Sequence, residues 1–172
     1  MNSETISSHR NADLGLEDKA GKYLTFKMGK EEYGIEIMKV FEIIGLMEIT
    51  PVPRTPKFIR GVINLRGKII PVVDLRLKFE LPRREDSERT CIIVVQIARA
   101  ANYMTMGIIV DDVCEVIYIS ANQIEPTPSF GENVNTEFIK GVGQINQNVI
   151  MLLDIDKILT GGEVDLIEKT VN

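Results

Sequence analysis

The sequence predicts an all-β protein of two small five-stranded barrels, closed by a short C-terminal helix, and three observations lead there. Ile and Val dominate the apolar positions and come in runs of about four to eight residues bounded by Gly, Pro and Asn, which is strand composition with turn punctuation. The runs fall into two sets of five. The sets are copies of one another: residues 58–75 (FIRGVINLRGKIIPVVDL) laid over 138–155 (FIKGVGQINQNVIMLLDI) match at six of eighteen positions without a gap, and 34–44 over 107–117 match at five of eleven. The offsets are 80 and 73, so the copies keep their order and differ by seven residues inserted in the second.

In order, the expected strands are 22–28, 32–38, 40–48, 58–65 and 68–74, then 90–97, 103–110, 112–119, 138–145 and 148–153. Short antiparallel strands with glycine at the bends point to closed barrels, because closure removes exposed sheet edges. Pro71 inside the fifth run requires a position where no ladder donor is needed, an edge or a bulge. Residues 1–20 read as a flexible arm. Residues 21–160 form the body, with barrel one over about 21–85 and barrel two over about 86–160, strand exchange between them being allowed; the chain crosses near the charged, apolar-poor PRREDSER segment. At 161–172, Val164, Leu166 and Ile167 make an amphipathic turn or two beyond the Gly161–Gly162 interruption.

Catalysis finds little to work with. The only histidine, His9, lies in the arm, so Ser-His-Asp and Cys-His chemistry lack a base in the folded body. No GxxxxGK[ST] or GxGxxG frame is present, and Cys91 and Cys114 have no metal-ligand spacing and read as buried free thiols. Asp111-Asp112 and Asp154-x-Asp156 read as solvated carboxylates. The reading is a non-enzyme with no cofactor and no metal. No apolar run reaches the roughly 20 residues of a membrane span, and the first residues resemble neither a signal nor a transit peptide, so the chain reads as cytoplasmic.

Charge directs attention to one stretch. Between Glu48 and Asp74 there is no acid, whereas Arg54, Lys57, Arg60, Arg66 and Lys68 supply five positive charges in a chain of net charge −5. A single-strand nucleic-acid surface would interleave aromatics with such groups, and only Phe58 lies here; the acidic whole also opposes phosphate attraction. A solvated face and a protein-docking surface for acidic groups remain, with docking preferred.

EEYGIEIMKVFEI at 31–43, PVPRTPKFIRGVINLRGKIIPVVDLRLKF at 51–79 and GIIVDDVCEVIYISANQIEPTP at 107–128 resemble the CheW family of bacterial chemotaxis coupling proteins, from about Gly21 to Leu159. The resemblance implies two SH3-like barrels and a non-enzymatic adaptor joining methyl-accepting chemoreceptors to the regulatory domain of the histidine kinase CheA, in the cytoplasm at membrane-associated receptor arrays, without inserting into the membrane. Carried over position by position, it implies receptor binding by Val40, Glu42 and Arg66, kinase binding by Ile49, Thr50, Val52 and Arg54 on the other side of the first barrel, and a lateral array contact at Phe130. Gly61, Gly67 and Gly141 fall on the family's glycines and are expected to serve backbone geometry. Phe41 departs from the pattern, an aromatic where a polar residue is expected. Between the copies NLRGK becomes QINQN, so only the first offers Arg66 and Lys68 at its turn.

Overall fold

The structure, a computed structural model, describes residues 18–82, 85–99, 101–128 and 136–171; residues 1–17 of the arm, with His9, and Phe130 lie outside them. Copy one supplies β1 (Gly21–Met28), β2 (Glu31–Glu36), β3 (Val40–Gly45), β4 (Ile59–Leu65), β5 (Lys68–Asp74) and the four-residue helix α1 (Leu75–Lys78). Copy two supplies β6 (Cys91–Ala98), β7 (Tyr103–Val110), β8 (Asp112–Ile119), β9 (Ile124–Glu125), β10 (Ile139–Ile145) and β11 (Asn148–Leu153), and α2 (Gly161–Val171) ends the chain.

The strands do not pair by copy. One sheet runs β3-β6-β7-β5-β4 and the other β8-β1-β2-β11-β10-β9. Each copy therefore lends its opening hairpin to the other copy's barrel, and a boundary near 85 divides the copies but not the sheets. The exchange is reciprocal down to the register: parallel β5·β7 pairs Val72 with Gly107, and parallel β11·β2 pairs Leu152 with Gly34. We call the barrel containing β3, β4 and β5 the first and the other the second.

Chain continuity closes both barrels. After β3 the backbone returns to the far edge of its sheet, where Thr50 and Val62 exchange N–H···O bonds of 2.9 Å. After β8, β9 does the same against β10, pairing Glu125 with Val142. The sixth strand of the second barrel is thus the two-residue counterpart of a single bridge in the first. Pro71 pairs with Val62 on one side and lies just before β7 engages on the other, so its missing N–H is not needed.

Three cores follow from strand alternation. Ile63, Ile70, Val72, Ile92, Val94 and Ile109 fill the first barrel, and Tyr23, Ile119, Ile124, Ile150 and Leu152 the second. The largest core lies between them, where the outer faces of the exchanged hairpins meet: Leu24, Phe26, Tyr33 and Ile35 against Ile93, Val95, Met106 and Ile108. Strands β6 and β7 are apolar on both faces for this reason. Val164 and Ile167 of α2 join this core, and its start is a capping box: the Thr160 hydroxyl accepts from Glu163 N–H at 3.2 Å, and the Glu163 carboxylate accepts from Thr160 N–H at 2.7 Å. Lys78 holds the same carboxylate at 2.7 Å, which ties α2 to α1.

Candidate docking surface on the first barrel

The turn between β4 and β5 needs two residues with positive φ, as a two-residue hairpin does to follow strand twist, and Arg66 (φ 53°) and Gly67 (φ 86°) supply them. Asn64 steadies it, its side-chain oxygen accepting from Gly67 N–H at 2.8 Å. The geometry throws the Arg66 side chain outward, two-thirds exposed, where its Nη2 donates to Glu42 Oε1.

Glu42 is delivered by a β-bulge. The β3–β6 register slips between Val40 and Glu42, leaving Phe41 as the extra residue, and the bulge turns Phe41 to solvent at 64% exposure. The equivalent slip on β8 exposes Cys114, against the expectation of a buried thiol; Cys91 is half-buried, and burial, followed by the Asp112 charge, pushes its thiol up to about 11. Val40, also half-buried, packs against the interbarrel core. Of the three residues expected at the receptor face, Glu42 and Arg66 meet directly, whereas Val40 packs against the interbarrel core.

The segment expected at the kinase face is held by its bridge to β4. Ile49 is half-buried and packs against the first barrel's core; Thr50 and Arg54 are exposed and Val52 half-buried. Thr55 Oγ1 donates to the Val52 carbonyl at 2.8 Å, and Arg54 takes φ 63° on the resulting turn. Gly61 makes the bridge possible. It has φ 141°, and a Cβ there would lie 2.0 Å from the Thr50 carbonyl oxygen. Gly67 meets the same expectation of backbone geometry, whereas Gly141 has no positive φ: a Cβ there would sit 3.0 Å from Ile124 Cγ2. Its requirement is close approach alone.

Two polar ties join the barrels. At the first, Arg76 (6% exposed) grips Asp74 (1% exposed) with two bonds, Nε–Oδ1 3.0 Å and Nη2–Oδ2 2.9 Å, and also reaches Asp86 at 2.8 Å and Asp111 at 3.1 Å. Asp111 accepts in turn from Gly29 N–H, 2.6 Å away at the tip of the β1–β2 hairpin. The hydrogen bond to Asp74 leads in raising the Arg76 pKa, so it stays charged although burial opposes this. Burial alone would raise the Asp86 pKa; bonds and charge from Arg76 and Arg60 outweigh it and hold it below the usual range. At the second tie, Asp156 accepts from Lys39 at 2.9 Å and from Ala98 N–H at 2.7 Å, and nearby, within the second barrel, Lys140 pairs with Glu36. Of the four carboxylates read as solvated surface groups in the sequence, Asp111 and Asp156 therefore bind the barrels together. Among the described residues no group of His, Cys, Asp and Glu is arranged to hold a metal, and no helix is long and apolar enough to cross a membrane.

The CheW-like domain family model matches residues 22–163. This chain belongs to the CheW family. It is 40% identical over 164 residues to the chemotaxis protein CheW of Klebsiella aerogenes, covering 95% of this chain and 93% of that one, and 34% identical over 139 residues to that of Helicobacter pylori, covering 80% and 81%. The crystal structure of the scaffolding protein TtCheW from Thermoanaerobacter tengcongensis superposes with a TM-score of 0.73 at 37% identity, covering 84% of this chain and 95% of that one. A CheW-family chain is a non-enzymatic chemotaxis adaptor coupling receptors to CheA, and its fold is the pair of SH3-like barrels described above.

Two groups of residues escaped the sequence reading. Gln96 and Thr105, paired across β6 and β7, lie beside Phe41 and Arg66; the signal was the polar break that Gln96 makes in CIIVVQIA. The Arg76 tie left no signal, since its partners come from separate segments.

Proposed function

We propose that this adaptor binds the cytoplasmic tip of a methyl-accepting chemoreceptor through Val40, Glu42 and Arg66, and the regulatory domain of CheA through Ile49, Thr50, Val52 and Arg54. The observation that carries the reading is the Arg66–Glu42 pair, held at the mouth of the first barrel by a two-residue turn and a bulge. An exposed pair of this kind adds only about 0.2–1 kcal/mol to folding, so two backbone devices that present it are better explained by recognition. The kinase segment is a separate, stiffened strip carrying Pro51, Pro53 and Pro56, fixed to β4 by its bridge. Phe130 is assigned a lateral contact in the array on family resemblance alone. The protein works in the cytoplasm, recruited to membrane-associated receptor arrays by these contacts.

Arg66→Ala tests the assignment. It should weaken binding to a soluble chemoreceptor fragment by roughly 1–3 kcal/mol, because Glu42 then enters the interface without its partner, while CheA affinity and Tm stay at wild-type values. Arg54→Ala should do the reverse. Equal loss of both partners in either variant would show the two faces to be wrongly separated.

A further inference from the structure

The open end of the first barrel forms a groove of about 310 Å3 lined by Phe41, Leu65, Arg66, Lys68, Gln96 and Thr105, among others. Its floor follows from strand alternation. Ile92 and Val94 face the barrel core, so Gln96, the next residue on that face of β6, continues the interior surface past the core into solvent, opposite Thr105 of β7. The groove thus has an uncharged floor, an aromatic wall in Phe41 and a basic rim. Lys68 has no ion-pair partner among the described residues, and Arg66 has only Glu42. No acid occurs in the chain from 49 to 73.

The second barrel supplies an internal control. The registers of the two exchanged hairpins place Lys27 opposite Glu32 where the first barrel has Gln96 opposite Thr105. Cys114, Asn146 and Asn148 stand for Phe41, Arg66 and Lys68. That end neutralises its own floor, has no aromatic wall and carries no cationic rim. The difference concerns chemistry and not fold, since the bulge and the two-residue turn occur in both.

We infer that the first barrel's groove receives an apolar side chain of the chemoreceptor tip, with a neighbouring receptor carboxylate bound by Lys68 and Arg66; this rests on the receptor reading above and makes Phe41, Lys68, Gln96 and Thr105 part of the same site. Charge complementarity commits the occupant: the rim holds two cations against one acid, and Phe41 provides apolar surface still open to a partner. Specificity lies in the pairing. A polar segment would leave Phe41 wet, and a basic one would meet Lys68.

Two groove variants, Thr105→Arg to fill the floor and Lys68→Glu to reverse the rim, would be titrated beside wild type and Arg66→Ala with a soluble cytoplasmic chemoreceptor fragment and, separately, with purified CheA; Tm would be recorded for each. Both groove variants should bind the receptor fragment at least tenfold more weakly and CheA within twofold of wild type, with unchanged Tm. Lys68 is exposed, so Lys68→Glu keeps the test valid should Thr105→Arg unfold. If both groove variants bind the receptor as wild type while Arg66→Ala does not, the groove is idle and the receptor reading stands. If the variants lose CheA and keep the receptor, the groove serves the kinase and the inference falls. Absence of receptor binding by wild type overturns the receptor reading and the groove together.

Discussion

Arg76 and Asp156 occupy equivalent positions in the two copies, each two residues after the aspartate that follows or ends the last strand, and they carry opposite charge. Both nonetheless belong to ties that end on the amide of a hairpin tip: Gly29 N–H is taken by Asp111, which Arg76 holds, and Ala98 N–H is taken by Asp156 directly. One arrangement needs a buried guanidinium among three carboxylates, the other only a half-exposed aspartate and a lysine. The duplicated fold requires a carboxylate at each tip, and the rest of each network differs. The first tie is therefore stiffer and less tolerant of loss.

Breaking the two ties separately should expose that asymmetry most strongly. Arg76→Leu leaves the buried Asp74 carboxylate only Arg60 at 3.0 Å and the backbone N–H of residue 76, and should lower stability by roughly 3 kcal/mol, against about 1–2 kcal/mol for Asp156→Ala, both read from denaturant unfolding. Equal losses would show the ties to be equivalent after all. Gly61 and Gly141 offer a second contrast. Gly61→Ala drives a Cβ into the Thr50 carbonyl at positive φ and should cost roughly 3 kcal/mol and weaken CheA binding in parallel, whereas Gly141→Ala meets the adjustable Ile124 side chain and should cost about 1 kcal/mol.

Acid should act on the first tie and on the start of α2. The Asp86 and Glu163 carboxyls are held below their ordinary values of 3.8 and 4.5; burial opposes this in each, and their cationic partners outweigh it. The unfolded chain thus takes up these protons before the folded one, so the stabilisation is complete above pH 4.5 and disappears as pH falls through the lowered folded values. Asp86→Asn and Glu163→Gln should flatten the fall in Tm over that window, and a slope unchanged from wild type would remove both groups from the account. The smallest effect concerns the turns. Gln147 holds φ 70° where the first copy has Gly67, and Gln147→Gly should stabilise the protein by roughly 0.5–1 kcal/mol, seen as a raised Tm.

Strand identity was legible because β-branched runs bounded by turn residues carry it locally, and ten of the strands lie where the runs do. Two-residue β9 was not, since ANQIEPTP has no run to mark it. Partner choice was invisible for a different reason: β1 and β2 present the same alternation whichever barrel receives them, and the pairings of β1 with β8 and of β2 with β11 decide. The α2 start was written plainly as Thr160-Gly-Gly-Glu163, but the glycines read as an interruption, although in a first turn they interrupt nothing. Within the site, the Arg66–Glu42 approach agrees with the resemblance. The exposure of Cys114 depends on a bulge that alters facing without altering composition.

The reciprocal exchange of hairpins also governs how the chain leaves the ribosome. The first barrel has all its strands once Val110 has emerged, but β1 and β2, synthesised earliest, find their neighbours only when β8 and finally β11 appear, with Glu32 waiting for Ile150. Until then Tyr23, which faces the second barrel's core, has no native cover. Two nascent chains on one message would face the same vacancy at once, and an early hairpin from one fits the late strands of the other as well as its own, so crowded synthesis favours domain-swapped pairs.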